Sequence, residues 1–233
     1  MKSQLKYSSK KIGVVITCAG TGSRYDSKEL KQLVLVNGMS ILEHTCRCFL
    51  PFEKFISEIV LTVPSSKKSE IKKHVEDVEF PFKVNVVVGG VSRAESVKIG
   101  FEELGSVDIV LIHDGVRPNV SKSLIERLLD SLETNDAVVP AIKVSDTLKT
   151  INKGIISGSV DRDNVMAIQT PQGFKYSLIK KAYRSSFSDQ ATDESSLVQK
   201  LGEPVHTILG EANNIKITTK FDLSLFKLFL ESF

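Results

Sequence analysis

Short, continuous apolar runs rich in β-branched residues alternate with amphipathic stretches along most of this chain. The runs at Ile12–Thr17 and at residues 59–63, 84–88, 109–113 and 137–140 lack an inside-outside alternation, which predicts strands buried on both faces. Between them, Ser40 opens a helical pattern with Glu43 three residues on, a capping box, and Ile41, Leu42, Thr45, Cys46 and Phe49 fall on one face. From Ser121 onward, Leu124, Ile125, Leu128, Leu129 and Leu132 form a clear stripe. Residues 93–104 read as a third helix of weaker periodicity. This alternation predicts an α/β fold: a mostly parallel sheet with helices on both faces.

The pattern changes after Pro140. Two half-polar stretches in residues 143–160 flank Asn152-Lys153-Gly154, a turn signal, and predict a hairpin arm at about 143–165. Two helices and two strands should follow. A final helix then carries Phe221, Leu223, Leu225, Phe226, Leu228 and Phe229. No repeat or linker interrupts residues 11–233, so one domain bearing an arm is expected, behind a loose basic tail over residues 1–10.

Composition narrows the setting. A chain of 233 residues can bury a sizeable core without disulfides or metals. Its three cysteines, Cys18, Cys46 and Cys48, are odd in number and lack Cys-x-x-Cys spacing, which argues against a disulfide framework or a zinc site and fits a reducing cytoplasm. A net charge of +3 is too small to point to nucleic acid, though a phosphate site would account for it. No stretch approaches the roughly 20 apolar residues of a membrane span, nor a signal peptide.

Chemistry gathers where the predicted strands end. The first runs into Cys18-Ala19-Gly20-Thr21-Gly22-Ser23-Arg24, whose glycines would let backbone N–H groups approach a phosphate. No Gly-Lys-Ser/Thr follows, and Tyr25 stands where a dinucleotide fingerprint needs its third glycine. A plain tight turn explains the loop equally well in isolation. Arg24 and Lys31, followed by Gln32, could grip a triphosphate or simply be solvated. Gly89-Gly90-Val91-Ser92-Arg93-Ala94-Glu95-Ser96 follows the third strand and opens a helix whose N-terminus suits an anion, or is ordinary turn-and-cap chemistry. His113-Asp114-Gly115-Val116-Arg117-Pro118 closes the fourth, where open α/β sheets bind ligands. Asp114 and Arg117 could hold a hydroxyl and a phosphate, or merely each other. Three polar, glycine-rich strand ends in a row are more than folding alone requires. Thr192-Asp193-Glu194 reads as a helix N-cap. Lys216 lies within a strand-like run, residues 213–218, where it is costly facing inward without an anion and trivial facing outward.

In order, AGTGSR, KQ, GGVSRAES, HDGVRP, DT, DR, QTPQGF, TDE and NIKITT resemble the 2-C-methyl-D-erythritol 4-phosphate cytidylyltransferases of non-mevalonate isoprenoid synthesis, from Ile12 to about Leu228. The resemblance implies a Rossmann-like fold and transfer of a cytidylyl group from CTP to that polyol phosphate, with Mg²⁺ carried chiefly by the CTP phosphates and no protein metal cage. It implies that Ala19, Gly20, Gly22 and Ser23 wrap the triphosphate, while Gly90, Arg93 and Ser96 surround cytosine and ribose. Arg24, Lys31 and Lys216 would stabilise charge at the α-phosphate, and Asp114, Arg117, Thr147, Arg162 and Thr170 would hold the acceptor. The family is dimeric with an exchanged arm, which would put Thr147 and Arg162 in the partner's site. Leu30 departs from the family's usual proline, and Cys18 from a common alanine. Two other readings stand beside it: a ribitol 5-phosphate cytidylyltransferase, with similar loops and the same reaction, and a non-catalytic nucleotide-binding module. Retention of Arg24, Lys31 and Lys216 argues against the module.

Overall fold

The computed structural model describes residues 9–18 and 30–231. In chain order the strands are β1 (Ile12–Thr17), β2 (Leu35–Val36), β3 (Met39–Ser40), β4 (Ile56–Val63), β5 (Lys83–Val88), β6 (Ile109–Asp114), β7 (Ala137–Lys143), β8 (Lys149–Asn152), β9 (Ile155–Ser159), β10 (Met166–Ile168), β11 (Gln172–Lys175) and β12 (His206–Leu209). The α-helices are α1 (Ile41–Arg47), α2 (Lys68–Val78), α3 (Arg93–Glu102), α4 (Lys122–Ser131), α5 (Tyr176–Ser185), α6 (Glu194–Lys200) and α7 (Lys220–Glu231).

The main sheet runs β10-β7-β11-β6-β1-β4-β5, with β12 also paired to β7. β6, β1, β4 and β5 are parallel, and antiparallel β11 joins β6 to β7. Alternate residues of one strand serve opposite cores. Val14 and Ile16 pack with Leu42 of α1, Ile71 of α2 and Leu128 of α4. Val15, with Val60 and Val110, packs against Val97 of α3, Ile179 of α5 and Leu197 of α6. Burial on both faces is why β1, β4, β6 and β7 read as apolar runs; β5 corrects that expectation, because at the sheet edge its valine-rich run is only half-buried.

Local signals set the helix starts. The hydroxyls of Ser40, Ser92 and Ser121 accept the amides of Glu43, Glu95 and Leu124, each at 3.0 Å. The predicted hairpin is β8–β9, turned by Lys153 (φ 49°) and Gly154 (φ 82°), the two positive dihedrals of a type I′ turn. Its residues Ile151, Ile155 and Ile156 are exposed.

Two expectations need correction. Three strands, β10, β11 and β12, follow the hairpin rather than two, because the short apolar segments around Pro171 and Val205 pair with β7. Residues 213–218 form no strand. Ile217 is buried against Phe226 and Val116 and donates its amide to the Val116 carbonyl at 2.9 Å, so this segment is pinned by packing and one hydrogen bond rather than by a ladder.

Candidate active site

The carboxyl ends of the parallel strands β5 and β6 deliver the loops bearing Gly90 and Arg93 and bearing Asp114 and Arg117 to one side of the sheet. A cleft of about 110 Å³ opens there, lined by Arg93, Asp114, Arg117, Ile168, Thr170, Gln172, Thr192, Asp193 and Lys216. Arg93, Lys216 and the Asp114–Arg117 pair, singled out from three separate motifs, meet at one carboxylate. Asp114, at the last position of β6, is 5% exposed and faces Lys216 Nζ at 3.0 Å, Arg117 Nε at 3.1 Å and Arg93 Nε at 3.7 Å. Burial works against its charge, yet Lys216, Arg93 and Arg117 together hold the carboxyl well below the usual carboxylate range. Asp114 and Arg117 do pair with each other, and the pair belongs to a larger cationic cluster.

Each cation is itself fixed. Arg117 Nη1 donates to the Asn214 carbonyl at 2.8 Å. Buried Asn214 donates through Nδ2 to the Thr170 carbonyl at 2.9 Å, tying the Lys216 segment to the β10–β11 connection. Arg93 places Nη1 and Nη2 at 3.0 Å from the two carboxylate oxygens of Glu194, which is fully buried. Burial pushes the Glu194 carboxyl up and Arg93 pulls it down; the guanidinium, flanked by Glu194 and Asp114, stays charged. Glu194 thus joins the wall containing Thr192 and Asp193 to the loop leading from β5.

That loop is braced internally. Gly90 N–H donates to Ser96 Oγ at 3.1 Å, Ser96 Oγ donates to the Ser92 carbonyl at 2.8 Å, and Val91 N–H donates to Glu95 Oε2 at 2.8 Å. A Cβ at position 90 would lie 2.3 Å from Glu95 Cγ, so a side chain there would dislodge the carboxylate that holds Val91. Lys31 begins a 3₁₀ turn, Lys31–Leu33, whose buried neighbour Gln32 donates to the Cys18 carbonyl at 3.0 Å. Leu30 sits at φ −66°, the value a proline ring imposes, so both residues suit this position.

The remaining expectations divide. Ala19, Gly20, Gly22, Ser23 and Arg24 lie outside the described residues. Thr147 and Arg162 are exposed and do not line the cleft; Arg162 Nη1 donates to the Ser145 carbonyl at 2.9 Å. Sequence reasoning gave no site role to Glu194, Gln172, Asp193 or Asn214. The N-cap of α6, where Asp193 accepts from the Ser196 amide, accounts for its acidic residues so completely that nothing in the pattern betrays the grip on Arg93. Among the described residues no cluster of His, Cys, Asp and Glu suits a metal, and the buried carboxylate of the cleft is engaged by three cations. No described helix is long and apolar enough to cross a membrane.

His113 adjoins Asp114 in the core. Burial lowers its ring to about 4 against the opposing pull of Asp114. Unfolded, the ring titrates near 6.5, so in the interval between the two values the unfolded chain binds a proton that the fold does not. Stability therefore falls as pH drops, by about 2 kcal/mol between pH 7 and 5. Urea unfolding at both pH values checks this against His113→Asn, which lacks the titration; parallel behaviour of the two proteins would contradict it.

A profile of the IspD family, described as 2-C-methyl-D-erythritol 4-phosphate cytidylyltransferase, matches residues 12–232. The chain belongs to the IspD family. Curated relatives of that name include one from Geotalea uraniireducens, 35% identical over 95% of this chain and 97% of its own length, and one from Syntrophus aciditrophicus, 37% identical over 95% and 96%. Among solved structures, the 4-diphosphocytidyl-2C-methyl-D-erythritol synthase of Anaerococcus prevotii superposes with a TM-score of 0.80, at 33% identity over 95% of this chain and 99% of that one. The mostly parallel sheet and its helical layers are those of IspD structures. The family is one of nucleotidyltransferases, so the sequence-based fold class and enzyme class both hold.

Proposed function

We propose that this IspD-family chain transfers the cytidylyl group of CTP to 2-C-methyl-D-erythritol 4-phosphate, releasing pyrophosphate. The observation that carries the reading is the cation cluster of Arg93, Arg117 and Lys216 around buried Asp114, set between a glycine-rich loop and an acidic N-cap. A phosphate oxygen of the acceptor attacks the α-phosphorus of CTP, forming the new P–O bond as the bond to the β-phosphate oxygen breaks in line. The attacking oxygen is already anionic, so no strong general base is required. Repulsion between two polyanions is the obstacle, and fixed positive charge is the remedy.

In this reading Gly90, Arg93 and Ser96 form the nucleoside side, with Ala19, Gly20, Gly22 and Ser23 on the triphosphate. Arg24, Lys31 and Lys216 stabilise charge at the α-phosphate, while Asp114, Arg117 and Thr170 hold the acceptor. The donor set of the cleft does not fit a protein-bound divalent cation. Mg²⁺ would be held by the CTP phosphates, where it neutralises charge. The enzyme works in the cytoplasm as a homodimer. Exposed Ile151, Ile155 and Ile156 on the hairpin support an arm that crosses to a second copy and brings Thr147 and Arg162 to its cleft.

The activity is tested by ³¹P NMR of the protein with CTP, Mg²⁺ and methylerythritol phosphate: a CDP-linked product and pyrophosphate are expected, and an unchanged acceptor signal would refute it. Arm exchange has its own test. An equimolar mixture of Arg162→Ala and Lys216→Ala subunits should regain about a quarter of wild-type turnover, since one site in four is then intact. No recovery would place Arg162 in its own subunit's cleft.

A further inference from the structure

His113 has no role in the proposed chemistry, yet its two ring nitrogens hydrogen-bond to Thr170 and Arg117, which both line the cleft. The ring is fully buried and packs T-shaped with Phe49 at a centroid distance of 5.6 Å. Its Nε2 lies 3.1 Å from the Arg117 carbonyl oxygen. A carbonyl can only accept, so Nε2 carries the proton and the neutral ring presents Nδ1 as a bare acceptor. Nδ1 lies 2.8 Å from Thr170 Oγ1, so the Thr170 hydroxyl donates its single proton to the ring. That same oxygen accepts the Asp114 amide at 3.1 Å. The chain of donors runs one way: Asp114 N–H to Thr170, Thr170 O–H to His113, His113 Nε2–H to Arg117 C=O.

We infer that His113 is a positioning residue that makes Thr170 an acceptor-only group and so selects a hydroxyl, rather than a phosphate oxygen, at that wall. With its proton committed, Thr170 Oγ1 can meet a ligand only through a lone pair. The Asp114 carboxylate beside it is likewise acceptor-only. Two such groups take the donor hydroxyls of a polyol and repel phosphate oxygens, which are left to Arg117 and Lys216. The orientation of the acceptor follows: hydroxyls toward Thr170 and Asp114, phosphate toward the cations. Burial keeps the ring neutral at physiological pH, so the arrangement is permanent rather than switched.

The inference rests on the proposed polyol phosphate acceptor, and two readouts separate the fates of the two ideas. The first needs no turnover. ¹⁵N NMR of the His113 ring should show the neutral tautomer protonated at Nε2; a proton on Nδ1 would overturn the inference whatever the activity. The second compares kcat/KM for methylerythritol phosphate with each of its mono-deoxy analogues. Wild type should lose about 10- to 100-fold on at least one of them. Thr170→Val and His113→Leu should lower kcat/KM for the intact acceptor and shrink that discrimination to within about threefold. His113→Asn, whose amide oxygen can replace Nδ1 as the hydroxyl's acceptor, should retain the discrimination. Equal losses by His113→Leu on intact and deoxy acceptors would reduce His113 to a structural residue and refute its positioning role. Absence of turnover with any polyol phosphate would defeat the activity reading alone, leaving the tautomer to decide this one.

Discussion

Lys216→Ala is expected to lower kcat/KM by about 10²- to 10³-fold while leaving the melting temperature almost unchanged. The two halves of that result have separate causes. Its side chain is 41% exposed and its ammonium meets Asp114 at the mouth of the cleft, so the fold draws little from it. An ion pair of that exposure contributes at most about 1 kcal/mol to stability. Asp114 would also keep Arg117 and Arg93, which prevents a stranded buried charge. The function that the proposed role assigns to Lys216 is compensation of charge developing on the α-phosphorus, where a preorganised cation acts without reorganising. Pyrophosphate release and thermal melting of the variant give both numbers. Near-normal turnover would remove Lys216 from the catalytic assignment.

Arg93→Ala should produce the opposite profile, a loss of stability of about 3–5 kcal/mol alongside any loss of activity. The guanidinium is the only cation paired with Glu194 among the described contacts, and that carboxylate is fully buried. With Arg93 gone, burial and the neighbouring Asp193 and Asp114 carboxylates push the Glu194 carboxyl further up. The folded variant then binds a proton that the unfolded chain releases, so its stability declines as pH rises above the ordinary glutamate range. Glu194→Ala should be milder, because the Arg93 side chain is 26% exposed and retains Asp114. Chemical unfolding of both variants at pH 5 and pH 8 tests the asymmetry. Equal losses, or an Arg93→Ala protein more stable at the higher pH, would contradict it.

These two residues also mark how far the sequence could be read. The strand ends that carry Gly90, Asp114 and Arg117 were legible because the apolar runs of β5 and β6 stop at Val88 and Ile112, which makes the polar residues beyond them conspicuous. Helix starts were legible for the same local reason: Ser40, Ser92 and Ser121 each cap as their spacing predicts. Lys216 could not be oriented from its surroundings, because residues 213–218 only mimic a strand; its direction is set by Ile217 packing on Val116 and Phe226. Glu194 was hidden more thoroughly. An acidic residue in the first turn of a helix is so ordinary that its bond to a residue 101 positions away leaves no trace in local pattern. The donor direction through His113 and Thr170 likewise depends on residues 57 apart. Local chemistry marked the loops, and long-range packing decided what they hold.

The proposed activity turns on the identity of the acceptor. The most direct measurement is pyrophosphate release from CTP and Mg²⁺ with methylerythritol phosphate or ribitol phosphate, compared as kcat/KM. A strong preference for methylerythritol phosphate is expected; equal use of the two, or a preference for ribitol phosphate, would overturn the proposed activity.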